Sequence, residues 1–259
     1  MLPYDFSEPI IFLIITGLMF LAVVGRYFLI AGIFHLIFYA WFPEKFQQRK
    51  IHQKIYPKPQ FIREIGWSML TAFIFAVIGA VMALVWQEGY TAIYLQIGQW
   101  GWFYFVISIA VSMFIHETYY YWLHRWMHQP KIYQLIHKVH HESQATSPWT
   151  AFSFHPAEGF LEALILPAII MVLPMQPYAI VTHLTIMTLT AAINHLDIEI
   201  YPKNFYKNPV GKWLIGATHH SQHHRFYRFN YGLYFTCWDK WAKTESPTFE
   251  SEFEIRTEK

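Results

Sequence analysis

The chain has 259 residues, of which 54% are hydrophobic, 20% aromatic and only 14% charged, a balance too apolar for an ordinary soluble domain and suited to a membrane. The formal net charge is +2, and Lys45, Arg49, Lys50, Lys54, Lys58 and Arg63 fall in one stretch rather than along a groove, which gives nucleic-acid binding little support. A lone cysteine, Cys237, excludes an intrachain disulfide and any CxxC metal site, leaving histidine as the available borderline metal ligand.

The opening MLPYDFSEP lacks the basic region and small-residue cleavage site of a signal peptide, so the first apolar segment is expected to be retained. Apolar stretches then follow over residues 10–41 (interrupted by Arg26), 65–86, 101–115, 160–173 and 178–193. The second has the length a bilayer requires, roughly 20 residues. The last two are short and flank a tight Pro-Met-Gln-Pro turn at 174–177, the pattern of a helical hairpin that barely spans. Four to five transmembrane helices are therefore expected in an all-α integral membrane protein. After Gly101 no helix breaker occurs before His128, which predicts one long helix running out of the membrane. Three regions are distinguished: N-terminal membrane helices with a basic connection (1–100), a catalytic domain (101–245) and a polar C-terminal tail (246–259) expected to fray.

Charge asymmetry sets the topology. The basic connection between the first two apolar segments should be cytoplasmic, residues 87–99 carry no Lys or Arg, and the alternation that follows places residues 116–155 and His195 on the cytoplasmic side. A multi-pass protein with a cytoplasmic helical cap results.

Three histidine clusters fall in that cap: HRWMH (124–128), HKVHH (137–141) and HHSQHH (219–224). Residues three and four apart share one helix face, so HxxxH offers two imidazoles and HxxHH three to a common point. The eight candidates are His124, His128, His137, His140, His141, His220, His223 and His224. One ion takes about four to six donors, so eight suit a dinuclear site. His195, where the hairpin re-enters the cap, is a ninth candidate. His116, rotated about 80° off the HRWMH face, His155 and His219 are read as residues supporting the ligands. Asp197, Glu117, Glu142, Glu158 and Glu199 could accept a ligand's free ring N–H. His35 and His52 read as ordinary satisfied histidines, as does His183, although an ionisable group in an apolar helix needs a partner.

HRxxH, HxxHH, a following HPxE and a final HHxxHH leading into NYGLYFTCWDK resemble the fatty acid hydroxylase and sterol desaturase superfamily, over residues 117–240. FHPAEGFLEA and GATHHSQHHRFYRFNYG look closest to its sterol C5-desaturase branch. Two departures stand out, Gln129 where relatives often have another histidine and WDKWAKTE in place of an ending with an early glycine. Neither touches an expected ligand. The first 100 residues match only in hydropathy.

The resemblance implies an integral membrane oxidoreductase with a non-haem di-iron centre held by the eight histidines, His195 matching the isolated histidine between the second and third boxes. It implies O2, reducing equivalents and a lipid substrate, a sterol or an acyl or alkyl lipid, that is hydroxylated or desaturated. Removing hydrogen from an unactivated C–H bond needs a redox-active metal, which zinc is not. Two iron ions, ferrous or ferric, are expected, with zinc a substitute that a preparation could carry. No segment looks like an attached haem or flavin domain, so electrons are expected from a separate cytochrome b5, ferredoxin or reductase, with residues 45–63 a candidate contact. Tyr119, Tyr120, Trp122, Trp149 and Tyr231 are candidate pocket residues. The alternatives are a metal-dependent membrane hydrolase, which would normally use Asp or Glu ligands, a metal transporter, which would place ligands near the midplane, and a bis-histidine haem protein.

Overall fold

The computed structural model describes residues 4–53 and 56–258; Lys54 of the basic stretch and the extreme ends of the chain lie outside the described residues. Helix α1 (Pro9–His35) continues as a π-helical turn to Trp41, α2 spans Lys58–Gln87, and α3 spans Gly101–Met127 as one unbroken helix. These are three helices long and apolar enough to cross a membrane. Their outward apolar side chains are exposed: Leu13 and Leu21 are each 65% exposed and Phe103 is 82% exposed. With no hydrophobic drive between helices in lipid, close packing needs small residues at the contact. Helix α2 supplies Ser68, Ala72, Ala76 and Ala80, all buried at four-residue spacing.

The remaining helices are shorter. The 138–141 histidine segment forms α4 (Lys138–His141), entered through a π-helical turn over Tyr133–His137. The apolar stretch at 160–173 is split between α5 (Pro156–Ala163) and α6 (Ile165–Val172). The Pro-Met-Gln-Pro turn then leads into α7 (Pro177–Asn194), with Met175 fully buried in the corner. Helix α8 (Ala217–Phe226) carries the last histidine cluster. Among the described residues there is no β-sheet, only isolated bridges at Lys50–Ile198 and Leu214–Phe235.

Two cores join these parts. Near the C-terminal end of α1, Tyr27, Trp149 and Phe152 pack with the α2 residues Phe61 and Ile65, and the Tyr27 hydroxyl donates to the Trp149 carbonyl at 2.7 Å. A second core sets Ile165, Ile169 and Ile170 of α6 and Ala179 of α7 against Ile109 and Ile115 of α3. The basic connection lies against the segment after α7, because Ile51 N–H donates to Asp197 O, Glu199 N–H donates to Arg49 O, and Arg49 Nη1 donates to Glu199 O and Tyr201 O. It therefore sits at the same end of the helices as the histidines.

The C-terminal segment departs from expectation. It folds as α9 (Phe249–Thr257), with Phe249 and Phe253 buried one turn apart. Phe249 stacks on His219 at a centroid distance of 3.5 Å, and Phe253 meets Tyr206 edge-on at 5.4 Å. Two aromatics at i and i+4 anchor an otherwise polar helix, a signal the high charge of the segment obscures.

Candidate metal centre

His124 lies on the last turn of α3 and His128 caps the helix. His137 and His141 frame α4, His195 caps α7, and His220, His223 and His224 lie on α8. Their ring nitrogens gather into two groups, His124, His128, His137, His141 and His223 in one and His140, His195, His220 and His224 in the other, each with its candidate ligand atoms within 4.8 Å of one another. Each three-histidine motif is divided between the groups, whereas the spacing predicts one common point. Adjacent helical residues diverge by about 100°. His137 and His141 consequently share a face in the first group while His140 turns to the second, and His220 and His224 share a face in the second while His223 turns to the first.

The proton arrangement shows what such groups can hold. His124 Nδ1–H donates to Tyr231 O at 2.8 Å, His137 Nδ1–H to Glu158 Oε1 at 2.6 Å and His223 Nδ1–H to Phe229 O at 2.7 Å. His195 Nδ1–H donates to Ala191 O at 2.8 Å and His140 Nδ1–H makes a longer contact with Ser153 O at 3.4 Å. A neutral imidazole with its proton fixed on Nδ1 carries a bare lone pair on Nε2. Yet His124 Nε2 faces His137 Nε2 at 3.0 Å, and His195 Nε2 faces His140 Nε2 at 3.2 Å. Neither pair has a proton to share. Lone pairs directed at one another need a cation between them. Nitrogens about 2.1 Å from one ion and at right angles lie about 3.0 Å apart, and the remaining Nε2 neighbours lie 2.9 to 3.2 Å apart. The donor set therefore fits two metal ions.

Burial works in the same direction. Desolvation pushes His137, His140, His141, His220, His223 and His224 well below the ordinary imidazole range, with neighbouring imidazoles adding to the effect, and lowers His195 to about 4. The rings are neutral at pH 7, the state a metal ligand requires.

The loop after α8 orients two of these rings. Tyr227 closes α8 in the left-handed conformation, φ 65°, and the chain returns past the rings. Two buried carboxylates then grip its backbone. Glu117 Oε2 accepts Tyr234 N–H at 2.6 Å and Glu117 also accepts from Leu233 and Phe235, while Asp239 accepts Tyr231 N–H and Gly232 N–H, each at 2.9 Å. A Cβ on Gly232 would lie 2.6 Å from Phe235 O and 2.8 Å from Glu117 Oε1, so this turn admits only glycine. The Asn-Tyr-Gly-Leu-Tyr motif thus aims the Tyr231 carbonyl at His124, and Phe229 just before it aims its carbonyl at His223. Backbone carbonyls carry no sequence signal, which is why these orienting partners were not foreseen.

Of the five carboxylates expected to hold a ligand ring N–H, Glu158 does so. Asp197 pairs with His52 Nδ1 at 2.6 Å, Glu199 accepts from Thr218 at the start of α8, and Glu142 faces Arg63 at 3.6 Å. The other supporting histidines have other partners too. His116 bonds to His183 at 2.9 Å, His155 caps α5 through Ala157 N–H, and His219 stacks on Phe249 beside Glu245. These residues were placed by their position in the sequence, and helix rotation turns each of them to a different neighbour.

A family model described as fatty acid hydroxylase matches residues 109–244, just over half of the chain and including all nine histidines. The chain belongs to the fatty acid hydroxylase family. Among curated relatives, lathosterol oxidase of Mus musculus is 31% identical over 186 residues, covering 71% of this chain and 60% of the relative. Lathosterol oxidase of Homo sapiens is 30% identical over 190 residues, covering 70% and 62%. Delta(7)-sterol 5(6)-desaturase of Gibberella zeae is 29% identical over 207 residues, covering 78% and 61%. The chain thus spans about three fifths of the length of these relatives. No solved structure matches it.

This fatty acid hydroxylase family chain also contains a cavity of about 720 Å³ between α1, α2, α3, α5, α6 and α7. Its wall is almost wholly apolar, with Arg26, Glu162, His116 and His183 as the polar exceptions. None of the five aromatics expected in a pocket lines it. Tyr231 and Tyr120 instead lie against His124, Tyr119 donates to Leu161 O, Trp149 belongs to the core and Trp122 is half exposed.

Proposed function

We propose that the chain is an O2-dependent oxidoreductase that uses two histidine-held irons to hydroxylate or desaturate an unactivated C–H position of a membrane lipid, a sterol first among candidates. The observation that carries this reading is the convergence of nine neutral imidazoles in two groups, with the Nδ1 protons of His124, His137, His195 and His223 committed to carbonyls and a carboxylate. The family and the names of its relatives support the reaction class and the sterol. His124, His128, His137, His141 and His223 would hold one iron, and His140, His195, His220 and His224 the other.

Iron supplies the redox chemistry that breaking such a C–H bond requires. The chain's own residues set the conditions for it. Glu158 Oε1 and the carbonyls of Tyr231, Phe229 and Ala191 hold the ring protons of His137, His124, His223 and His195 and keep those four imidazoles in one tautomer. Burial of all but His128 below 5% exposure excludes bulk water. Among the described residues neither group contains a carboxylate, and the ligands drawn from the long helix α3 and from α7 lie at the ends of those helices rather than midway along them, which removes support from the hydrolase and transporter readings.

The hairpin of α5, α6 and α7 would add to the three long helices to give four or five crossings. The basic connection at the histidine end argues for a cytoplasmic centre. A depression of about 490 Å³ lined by His52, Gln60, Glu142, His224 and Arg225 reaches the second group from the aqueous side and is the docking place proposed for a separate electron donor.

Purification in detergent under anaerobic conditions from iron-supplied cells, followed by metal analysis and Mössbauer spectroscopy, tests the reading. Close to two coupled irons per chain, with O2 uptake on addition of sterol and reductant, is expected. Tight zinc without iron exchange or O2 uptake would overturn it.

A further inference from the structure

The outward face of α3 is one continuous stripe. Phe103, Ile107, Val111, Phe114, Thr118 and Trp122 follow one another at three- or four-residue spacing, and all but Thr118 are exposed. Thr118 spends its polarity internally, donating to Phe114 O at 2.8 Å and accepting Trp238 Nε1–H at 3.1 Å. Arg125 is the first exposed charged residue of the helix. Trp102 and Trp122, 20 residues apart, lie about 30 Å apart along the axis, which is the thickness of a bilayer's hydrocarbon core. At the histidine end, residues from late in the chain join Trp122. Trp238 meets Trp122 edge-on at 5.7 Å and Trp241 at 5.3 Å. Arg125 lies 5.7 Å from the Trp122 ring, and Lys212 and Lys240 lie 5.3 and 5.8 Å from that of Trp213. Trp122, Trp213 and Trp241 are 50%, 38% and 58% exposed. Among the described residues the one carboxylate at ion-pair distance from these three cations is Glu245, 3.4 Å from Lys240.

We infer that this belt, built from the end of α3, the Gly211–Trp213 turn and the short helix Cys237–Trp241, lies in the headgroup layer and binds anionic phospholipid through Arg125, Lys212 and Lys240. The inference rests on α3 crossing the bilayer and is independent of the reaction proposed above. Indole rings settle at headgroup level because one part of the ring is apolar and the N–H is wet. Basic side chains beside them are drawn to anionic headgroups. An acidic protein would also suit three cations. The bilayer is favoured because Trp122 ends, without a break, the uncharged stripe whose length matches the hydrocarbon core. His124 follows Trp122 by two residues, about 3 Å along the axis. The histidine groups therefore begin at headgroup level, where a lipid can approach them from within its own leaflet.

The full chain in nanodiscs, carrying a fluorophore on a single cysteine in a Cys237→Ser background, tests this by quenching with spin-labelled phospholipids. A label on Ile107→Cys should be quenched best by a nitroxide deep in the acyl chain, and one on Trp241→Cys by a nitroxide next to the headgroup. At position 241 the headgroup-proximal nitroxide should quench about twofold more strongly on phosphatidylglycerol than on phosphatidylcholine. Lys212→Gln together with Lys240→Gln should bring the two to equality at unchanged metal content. Arg125 stays in place because it adjoins His124. Quenching at 107 but not at 241 would overturn the belt while α3 still crosses the bilayer, and would leave this face to a protein partner. Equal quenching by the two lipids, or a preference that survives the double variant, would overturn the anionic site. No lipid quenching at either position would sink the membrane placement of α3 and the inference with it. Iron content and O2 uptake, measured on the same samples, report separately on the oxidase reading.

Discussion

Glu158 Oε1 accepts the Nδ1–H of His137 at 2.6 Å, with both side chains essentially fully buried. The carboxylate fixes the ring so that Nε2 faces His124 and His141. Losing such an orienting partner typically lowers metal affinity about 10- to 100-fold. Glu158→Ala should therefore weaken metal binding by this factor in the first group and leave the second occupied, giving about one metal per chain after dialysis. Metal analysis against wild type checks it, and two retained metals would count against the role of Glu158.

His140 belongs to the second group, where three other histidines remain. His140→Ala should abolish activity and lower metal content towards one per chain while membrane insertion stays intact. Full activity in that variant would be incompatible with the ligand assignment. Together with Glu158→Ala it separates the two groups, because each variant should lose a different metal.

Gly232 lies where two carboxylates hold the loop, so any side chain there displaces Phe235 O or Glu117. Glu117 leaves three backbone N–H groups without an acceptor when removed. An unsatisfied buried donor costs about 1–3 kcal/mol. Glu117→Ala should destabilise the chain by on the order of 3 kcal/mol and loosen the carbonyl held against His124. Thermal unfolding measured with and without metal checks this, and the loss should be larger with metal present.

The long helix from Gly101, the hairpin at the Pro-Met-Gln-Pro turn and the nine converging histidines were legible because hydropathy and i, i+4 spacing are properties of the sequence itself. The division of HxxHH and HHxxHH between two groups was not, since it depends on how α4 and α8 face each other across the cap. The roles of Asp197 and His116 were missed for the same reason. Each lies near a ligand in sequence, but its partner, His52 or His183, comes from a distant segment. His183 is the instructive case, because a single histidine in an apolar helix gives no hint of a second one facing it.

The pH response follows from buried neutral rings. His195 falls from 6.5 to about 4 on folding, so the unfolded chain binds a proton that the folded chain refuses between those values. Stability from this group is present above pH 6.5 and is lost as pH falls towards 4. Protons also compete with metal for the same nitrogens. Metal content after incubation should hold at pH 7.5 and drop steeply between pH 6.5 and pH 4.5. Retention of both metals at pH 4.5 would contradict the burial argument.

Phe253 is 1% exposed and packs on Tyr206, and its neighbour one turn earlier, Phe249, stacks on His219. His219 precedes His220 on α8, so α9 braces the helix that carries three ring nitrogens of the centre. Truncating a buried Phe costs about 3–5 kcal/mol. Phe253→Ala should lower the thermal midpoint and release metal from the second group first, because His220 and His224 both ride on α8. A polar substitution at exposed Glu250 should change neither quantity. Metal release followed through a thermal ramp in the two variants decides whether residues 246–258 are a structural brace, and equal behaviour would assign them no part in holding the centre.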